Sequence, residues 1–283
     1  MPAKSFCSSH SRSHNPFVSA FLSLIALSLI AVALLSYPPS AEAQRASASL
    51  IGGEYAADFA GRDIAYIASS ESSCTGTLVG RREILTAAHC VADGPGPSDY
   101  GVYVGGAWRA VESIWYNSQF DPSQSPDRAA PYDLGMLILS EQVVSVAPTP
   151  VLRGTRISAG TKFIIAGYGF HEIPSDPNGS FFDDFKIGVS RVTRANGRTI
   201  NGSYRPFRAS PCSGDSGGPA QVAYSRTNFA VMGVISGGIN DHDNSVCYLR
   251  GNGLFTLVDL QSSSSRAFLS AFPGVYYARM RSR

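Results

Sequence analysis

From Leu50 onward the apolar residues come in short runs: Ile64–Ala68, Ile84–Ala88, Gly101–Val104, Leu134–Leu139, Phe163–Ala166, Ile187–Val192, Phe229–Ile235 and Gly253–Val258. Gly, Pro, Ser and Asn fill the gaps between them, the residues that supply turn conformations. Closely spaced runs of this length, bounded by turn signals, predict short strands and an all-β architecture. No long amphipathic helix is patterned before the C-terminus, where Ser265–Phe272 has the makings of a short one. Asp93–Asp99, Asp121–Pro131 and Pro174–Asp184 are rich in Pro, Ser and Asp and read as surface loops. The tail Pro273–Arg283 carries Arg279, Arg281 and Arg283 and reads either as a mobile end or as a small docking element. No internal repeat is present.

One stretch breaks this pattern. Phe17–Leu35 is almost continuously apolar, with Lys4 and Arg12 before it and Ser36-Tyr37-Pro38-Pro39 and Ala41-Glu42-Ala43 after it. That order marks residues 1–43 as a secretory signal cut after Ala43. A retained membrane anchor is the competing reading, because the stretch is just long enough to span a bilayer; the Ala-x-Ala site and the proline pair favour cleavage. Removing the segment takes away Cys7 and leaves Cys74, Cys90, Cys212 and Cys247, an even set suited to an oxidising compartment. Three pairings of these four are possible. Zinc is the alternative use of Cys and His, but no two cysteines have the short spacing of ligand pairs, so no metal and no other cofactor is expected. The 283 residues are 44% hydrophobic and 16% charged with a formal charge of +2, an ordinary globular balance able to bury a substantial core. No basic stripe points to nucleic acid.

The candidate chemistry lies in two segments. Cys212-Ser213-Gly214-Asp215-Ser216-Gly217-Gly218-Pro219 sets one serine between an acid and two glycines. A serine hydroxyl is a weak nucleophile at neutral pH and needs a base to take its proton, together with donors aimed at the oxyanion its attack creates. Glycines allow the sharp turn that exposes such N–H groups. Upstream, Leu85-Thr86-Ala87-Ala88-His89-Cys90 places one of the five histidines after an apolar run and against a cysteine able to pin it. His10 and His14 fall in the signal segment, and His171 and His242 in polar, turn-rich stretches. A buried carboxylate is needed to hold the imidazole tautomer, and Asp133, at the head of the apolar run Leu134–Leu139, is the best placed.

The order His89, Asp133, Ser216 in these surroundings closely resembles the chymotrypsin/trypsin family of serine proteases, from about Leu50 to Val258. Leu50-Ile51-Gly52-Gly53, Ala166-Gly167-Tyr168-Gly169 and Gly233-Val234-Ile235-Ser236-Gly237-Gly238 are weaker echoes of the same family. The resemblance implies two antiparallel six-stranded β-barrels with the active site at their junction and a short C-terminal helix, all within residues 50–283. It implies a secreted serine endopeptidase, extracellular or periplasmic, acting on peptide bonds as a monomer. Protein or peptide substrates, an activating protease and protein inhibitors are the implied partners; no nucleic acid and no stable membrane partner after signal removal is implied.

By the same resemblance Ser216 is the nucleophile, His89 the general base and acid, and Asp133 its orienter. The N–H groups of Gly214 and Ser216 form the oxyanion hole, and Ser236 and Gly238 pair with the substrate backbone as an added strand. The disulfides are Cys74–Cys90 and Cys212–Cys247, while Phe163 and Val222 take the two halves of a bridge this chain lacks. Asp215, buried beside the nucleophile, pairs with the new α-amine of Leu50 after loss of a short propeptide, residues 44–49. The residue before Leu50 is Ser49 rather than the usual basic one, which leaves the activating enzyme open. Ser210 forms the pocket floor, with Gly238 and Gly253 leaving its walls open. The absence of an acid there favours large apolar or aromatic side chains over basic ones. Gly237, in place of the family's usual aromatic, removes one wall, and Asp241 and Asp243 in the loop Ile239–Val246 read as a solvated acidic turn.

Two rival classes fit less well. A catalytically silent homologue would normally lack a triad or oxyanion-loop residue, and all are present. An α/β-hydrolase esterase would show Gly-x-Ser-x-Gly and the order Ser, Asp, His, and neither is found. Asn178-Gly179-Ser180 and Asn201-Gly202-Ser203 are glycan acceptors only in a glycosylating host.

Overall fold

The computed structural model describes residues 54–55, 63–70, 72–94, 96–169, 185–203, 209–239 and 254–280. The expected signal segment, Leu50, the sequon at Asn178, Asp241, Asp243, Cys247 and Gly253 lie outside them.

After a short β1 (Glu54–Tyr55), the first barrel is built from β2 (Ile64–Ala68), β3 (Ser73–Leu78), β4 (Glu83–Thr86), β5 (Gly101–Val104), β6 (Ala107–Tyr116) and β7 (Gly135–Leu139). Neighbours run β2-β3-β4-β7-β6-β5, and pairing of β2 with β5 closes the ring. Ile67, Leu78, Ile84, Leu85, Val102, Met136, Leu137 and Leu139 are almost wholly shielded from water. A closed ring leaves no strand edge open to another chain.

A short β8 (Val151–Arg153) leads to the second barrel, formed by β9 (Lys162–Gly167), β10 (Lys186–Ala195), β11 (Thr199–Ser203), β12 (Pro219–Ala223), β13 (Phe229–Ile239) and β14 (Leu254–Asp259). The order β12-β9-β10-β11-β14-β13 is closed by β12 pairing with β13. Its core holds Phe163, Ile165, Val192, Ile200, Val222, Met232, Phe255 and Leu257. Phe163 and Val222 thus sit in one apolar cluster, so the positions without a disulfide contribute burial instead. The two expected six-stranded antiparallel barrels are therefore present, and both belong to the unit Ser47–Arg283.

Helix is scarce. A single turn, α1 (Pro126–Ala129), lies within the expected Asp121–Pro131 loop, and α2 (Ser263–Leu269) follows the second barrel. The helix starts two residues before the predicted Ser265 because Ser262 caps it, its hydroxyl accepting from Ser265 N at 3.0 Å. Ser, with a short oxygen that reaches a free N–H, is favoured there.

The tail is stitched into the fold through Arg279. Phe272 and Val275 pack into the core shared with the first barrel, Tyr276 N donates to Val79 O at 2.8 Å, and β15 (Tyr277–Arg279) pairs in parallel with β8. The sequon at Asn201 lies inside β11, paired on both sides, with its amide donating to Thr256 Oγ1 at 3.1 Å.

Candidate active site

Cys90 anchors the turn that carries the imidazole. After β4 the chain turns into one 3₁₀ turn, Ala88–Cys90, and a disulfide ties Cys90 to Cys74 on β3 with Cα atoms 6.2 Å apart. His89, between two buried neighbours, projects outward with its side chain 35% exposed. Asp133 arrives from the other side. The 3₁₀ turn Ala130–Tyr132 ends at it, and β7 begins two residues later, so the carboxylate is fixed at the lip of the first barrel with 3% of its side chain exposed.

Asp133 engages His89 twice. Its Oδ1 accepts from the His89 backbone N–H at 2.9 Å and its Oδ2 accepts from ring Nδ1 at 2.7 Å. Position and tautomer are thereby set together: Nδ1 carries the proton and Nε2 is left with its lone pair. Packing around the ring pulls its pKa down, while the hydrogen bond and the charge of Asp133 pull it up; the balance is upward from the ordinary imidazole value. A third donor, Ser236 on β13 of the second barrel, gives its hydroxyl to Asp133 Oδ2 at 2.6 Å. Sequence reasoning cast Ser236 only as a backbone partner for substrate. No period or spacing singles out its hydroxyl; the signal was a lone polar side chain between Ile235 and Gly237.

The loop 212–218 is folded against the first barrel. Ser216 O accepts from Thr75 N at 2.8 Å and lies 3.8 Å from Cys90 Sγ, which brings Ser216 onto the cysteine beside His89. Gly217, at φ +80°, is packed so closely that a Cβ would fall 2.0 Å from Thr86 Oγ1, so only glycine fits. Gly214 has φ +92°, also in the region that glycine reaches at low cost. Within the loop the N–H groups of Asp215, Gly217 and Gly218 are bonded to Cys212 O, Ile235 O and Asp215 O. Those of Gly214 and Ser216 make no such bond among the described residues. Two free amides flanking a half-buried serine are an arrangement able to receive an oxyanion.

Beneath them lies Asp215, wholly buried. Oδ1 accepts from Gly169 N at 2.9 Å and Oδ2 from Cys212 N at 2.8 Å. Burial pushes its carboxyl up to about 7, against the pull of those two N–H groups and of the buried Lys186. Cys212 is held in a disulfide; the partner expected for it, Cys247, is outside the described residues. Ser210 is 1% exposed and, among the described residues, its hydroxyl has no hydrogen-bond partner and nothing occupies the space that a Cβ on Gly237 would enter. Gly238 lies on β13 opposite Phe255. Cys74, His89 and Cys90 come within ligand distance of one another, but the disulfide has consumed both thiolates that a metal would need.

Two barrels that meet around a His–Asp pair and a Gly-Asp-Ser-Gly-Gly loop define a trypsin-like serine protease fold. The chain belongs to the trypsin family, whose sequence model it matches over residues 50–256. It is also similar to clotting factor C of Tachypleus tridentatus, at 26% identity over an alignment that takes in 58% of this chain and 19% of that protein. The match therefore covers well under two thirds of the relative's length.

Proposed function

We propose that the chain is a secreted serine endopeptidase in which Ser216, His89 and Asp133 act as a triad. Ser216 Oγ adds to the scissile carbonyl carbon as its proton passes to His89 Nε2, and the oxyanion is received by the N–H groups of Gly214 and Ser216. The tetrahedral species collapses, the C–N bond breaks, and His89 returns the proton to the leaving amine. Water, deprotonated by His89 in turn, hydrolyses the acyl-Ser216 ester. Asp133 stays ionised throughout and stabilises the imidazolium. The observation that carries this reading is the pair of bonds that His89 gives to Asp133, completed by Ser236: three donors converge on one carboxylate, and Nε2 has no bond among the described residues.

Secretion is supported by the Cys74–Cys90 disulfide and the leader-like segment. Activation by a new Leu50 amine is supported by Asp215, a fully buried carboxyl held by neutral amides and only partly offset by Lys186, because a cation brought beside it would relieve its desolvation. The uncharged Ser210 at the pocket floor supports a preference for large apolar or aromatic side chains over basic ones. The test compares wild type with Ser216→Ala on matched peptide amides and esters carrying Phe, Leu or Arg before the scissile bond. The reading requires amide cleavage that Ser216→Ala abolishes, with Phe ahead of Arg. Ester turnover without amide turnover would make the protein an acyl hydrolase, and no turnover of either would make it a binding homologue.

A further inference from the structure

Thr75 is a fully buried polar residue on β3, the first residue after Cys74. Its hydroxyl sits 2.7 Å from Gly214 O and 3.1 Å from Tyr168 N. A backbone N–H can only donate and a carbonyl can only accept, so the hydroxyl must accept from Tyr168 and give its own proton to Gly214. The same residue's backbone N–H donates to Ser216 O at 2.8 Å, and its carbonyl accepts the Thr86 hydroxyl at 2.9 Å. One residue of the first barrel thus grips both residues whose N–H groups face the reacting carbonyl. Gly214 is the one that needs gripping: at φ +92° it has no Cβ to restrict it, and neighbouring basins lie close in energy.

We propose that Thr75 is a positioning residue for the oxyanion loop. Its hydroxyl fixes the Gly214–Asp215 peptide plane through the carbonyl, and so anchors the Gly214 Cα from which the Gly214 N–H is directed, without touching substrate. The inference rests on the reading of Ser216 as nucleophile and of the two amides as the oxyanion hole. Valine in place of Thr75 keeps the shape but takes the partner from Gly214 O and Tyr168 N in a part-buried site, which lets the loop turn in search of others.

The test measures kcat and KM on a peptide anilide, and the inhibition constant of a matching peptide aldehyde, for T75V, T75S and T75A. Thermal melts report folding. Loss of one oxyanion donor in a serine protease costs about 10²–10³ in kcat. Misaiming one should lower kcat of T75V by roughly 10- to 100-fold on that scale, with KM little changed and aldehyde affinity reduced in parallel. T75S, which keeps the hydroxyl, should recover most of the loss. A folded T75V with wild-type kcat and aldehyde affinity overturns the proposal. If T75V does not fold, T75S and T75A decide, since they differ only by the hydroxyl: T75S well above T75A supports it, and equal kcat overturns it. Ser216→Ala run alongside separates the two levels. Activity surviving in that variant removes the nucleophile reading itself, whereas a dead Ser216→Ala beside a fully active T75V removes only the role of Thr75.

Discussion

Two buried carboxylates stand within one site, and the molecule treats them differently. Asp133, from the first barrel, receives three donors, one of them an ionisable imidazole. Asp215, in the loop of the second, receives two neutral amides and is pushed up to about 7 by burial. The first carboxylate has its partner inside the described fold at 2.7 Å. The second has the more distant influence of Lys186, and in our reading waits for an amine made by cleavage. The contrast teaches that burial alone does not set a carboxylate's role; what is poised beside it does.

Asp133→Asn keeps the shape but replaces an acceptor by an amide, which favours the wrong tautomer of His89 and should lower kcat by about 10⁴, the loss known for this change in serine-protease triads. The acid limb of kcat/KM in the wild type should lie above the ordinary imidazole value because Asp133 raises His89, and should move down in the variant.

Asp215 is tested through stability. Between about 4 and 7 the folded chain holds a proton on Asp215 that the unfolded chain has lost. Its contribution is therefore full below the unfolded value and disappears as pH rises to about 7. Three units correspond to something of the order of 4 kcal/mol. His89 slopes the same way, since its raised pKa also favours the folded state below its own titration. Thermal melts of the uncleaved chain should fall from pH 5 to pH 7.5, and Asp215→Asn should flatten much of that slope. A chain beginning at Leu50 should be flatter than the precursor if the amine reaches Asp215; equal slopes would remove the activation pair.

Smaller effects follow. Replacing Cys74 and Cys90 by Ser opens a loop with a sequence separation of 16 and should cost about 3 kcal/mol in denaturant titrations. Ser236→Ala withdraws one donor from a charged acceptor that keeps two others, so kcat should fall roughly tenfold, the scale of a charged hydrogen bond.

The strands made of apolar runs could be read directly: Ile64–Ala68 and Gly101–Val104 are strands at those very bounds. Those that defied the reading did so for physical reasons. Ser73–Leu78 holds Thr75 and Thr77, buried polar residues that look like turn composition until the partner of Thr75 in the other barrel is seen. Ala107–Tyr116 exposes Trp108 and Trp115 and mixes in Arg109 and Glu112, so no continuous run marks it. Thr199–Ser203 has only Ile200 to give the second core. At the site, His89 and Asp133 were legible because their local segments are distinctive. The Ser236 hydroxyl and the grip of Thr75 were not, because both span the barrels, 103 and 139 residues apart in sequence from their partners.

The most direct test of the triad is fluorophosphonate labelling of the purified protein at several pH values, with the adduct located by mass spectrometry. Label on Ser216 alone is expected, at a rate that rises with pH as His89 loses its proton. Folded protein that takes no label, or takes it on another residue, would overturn the triad.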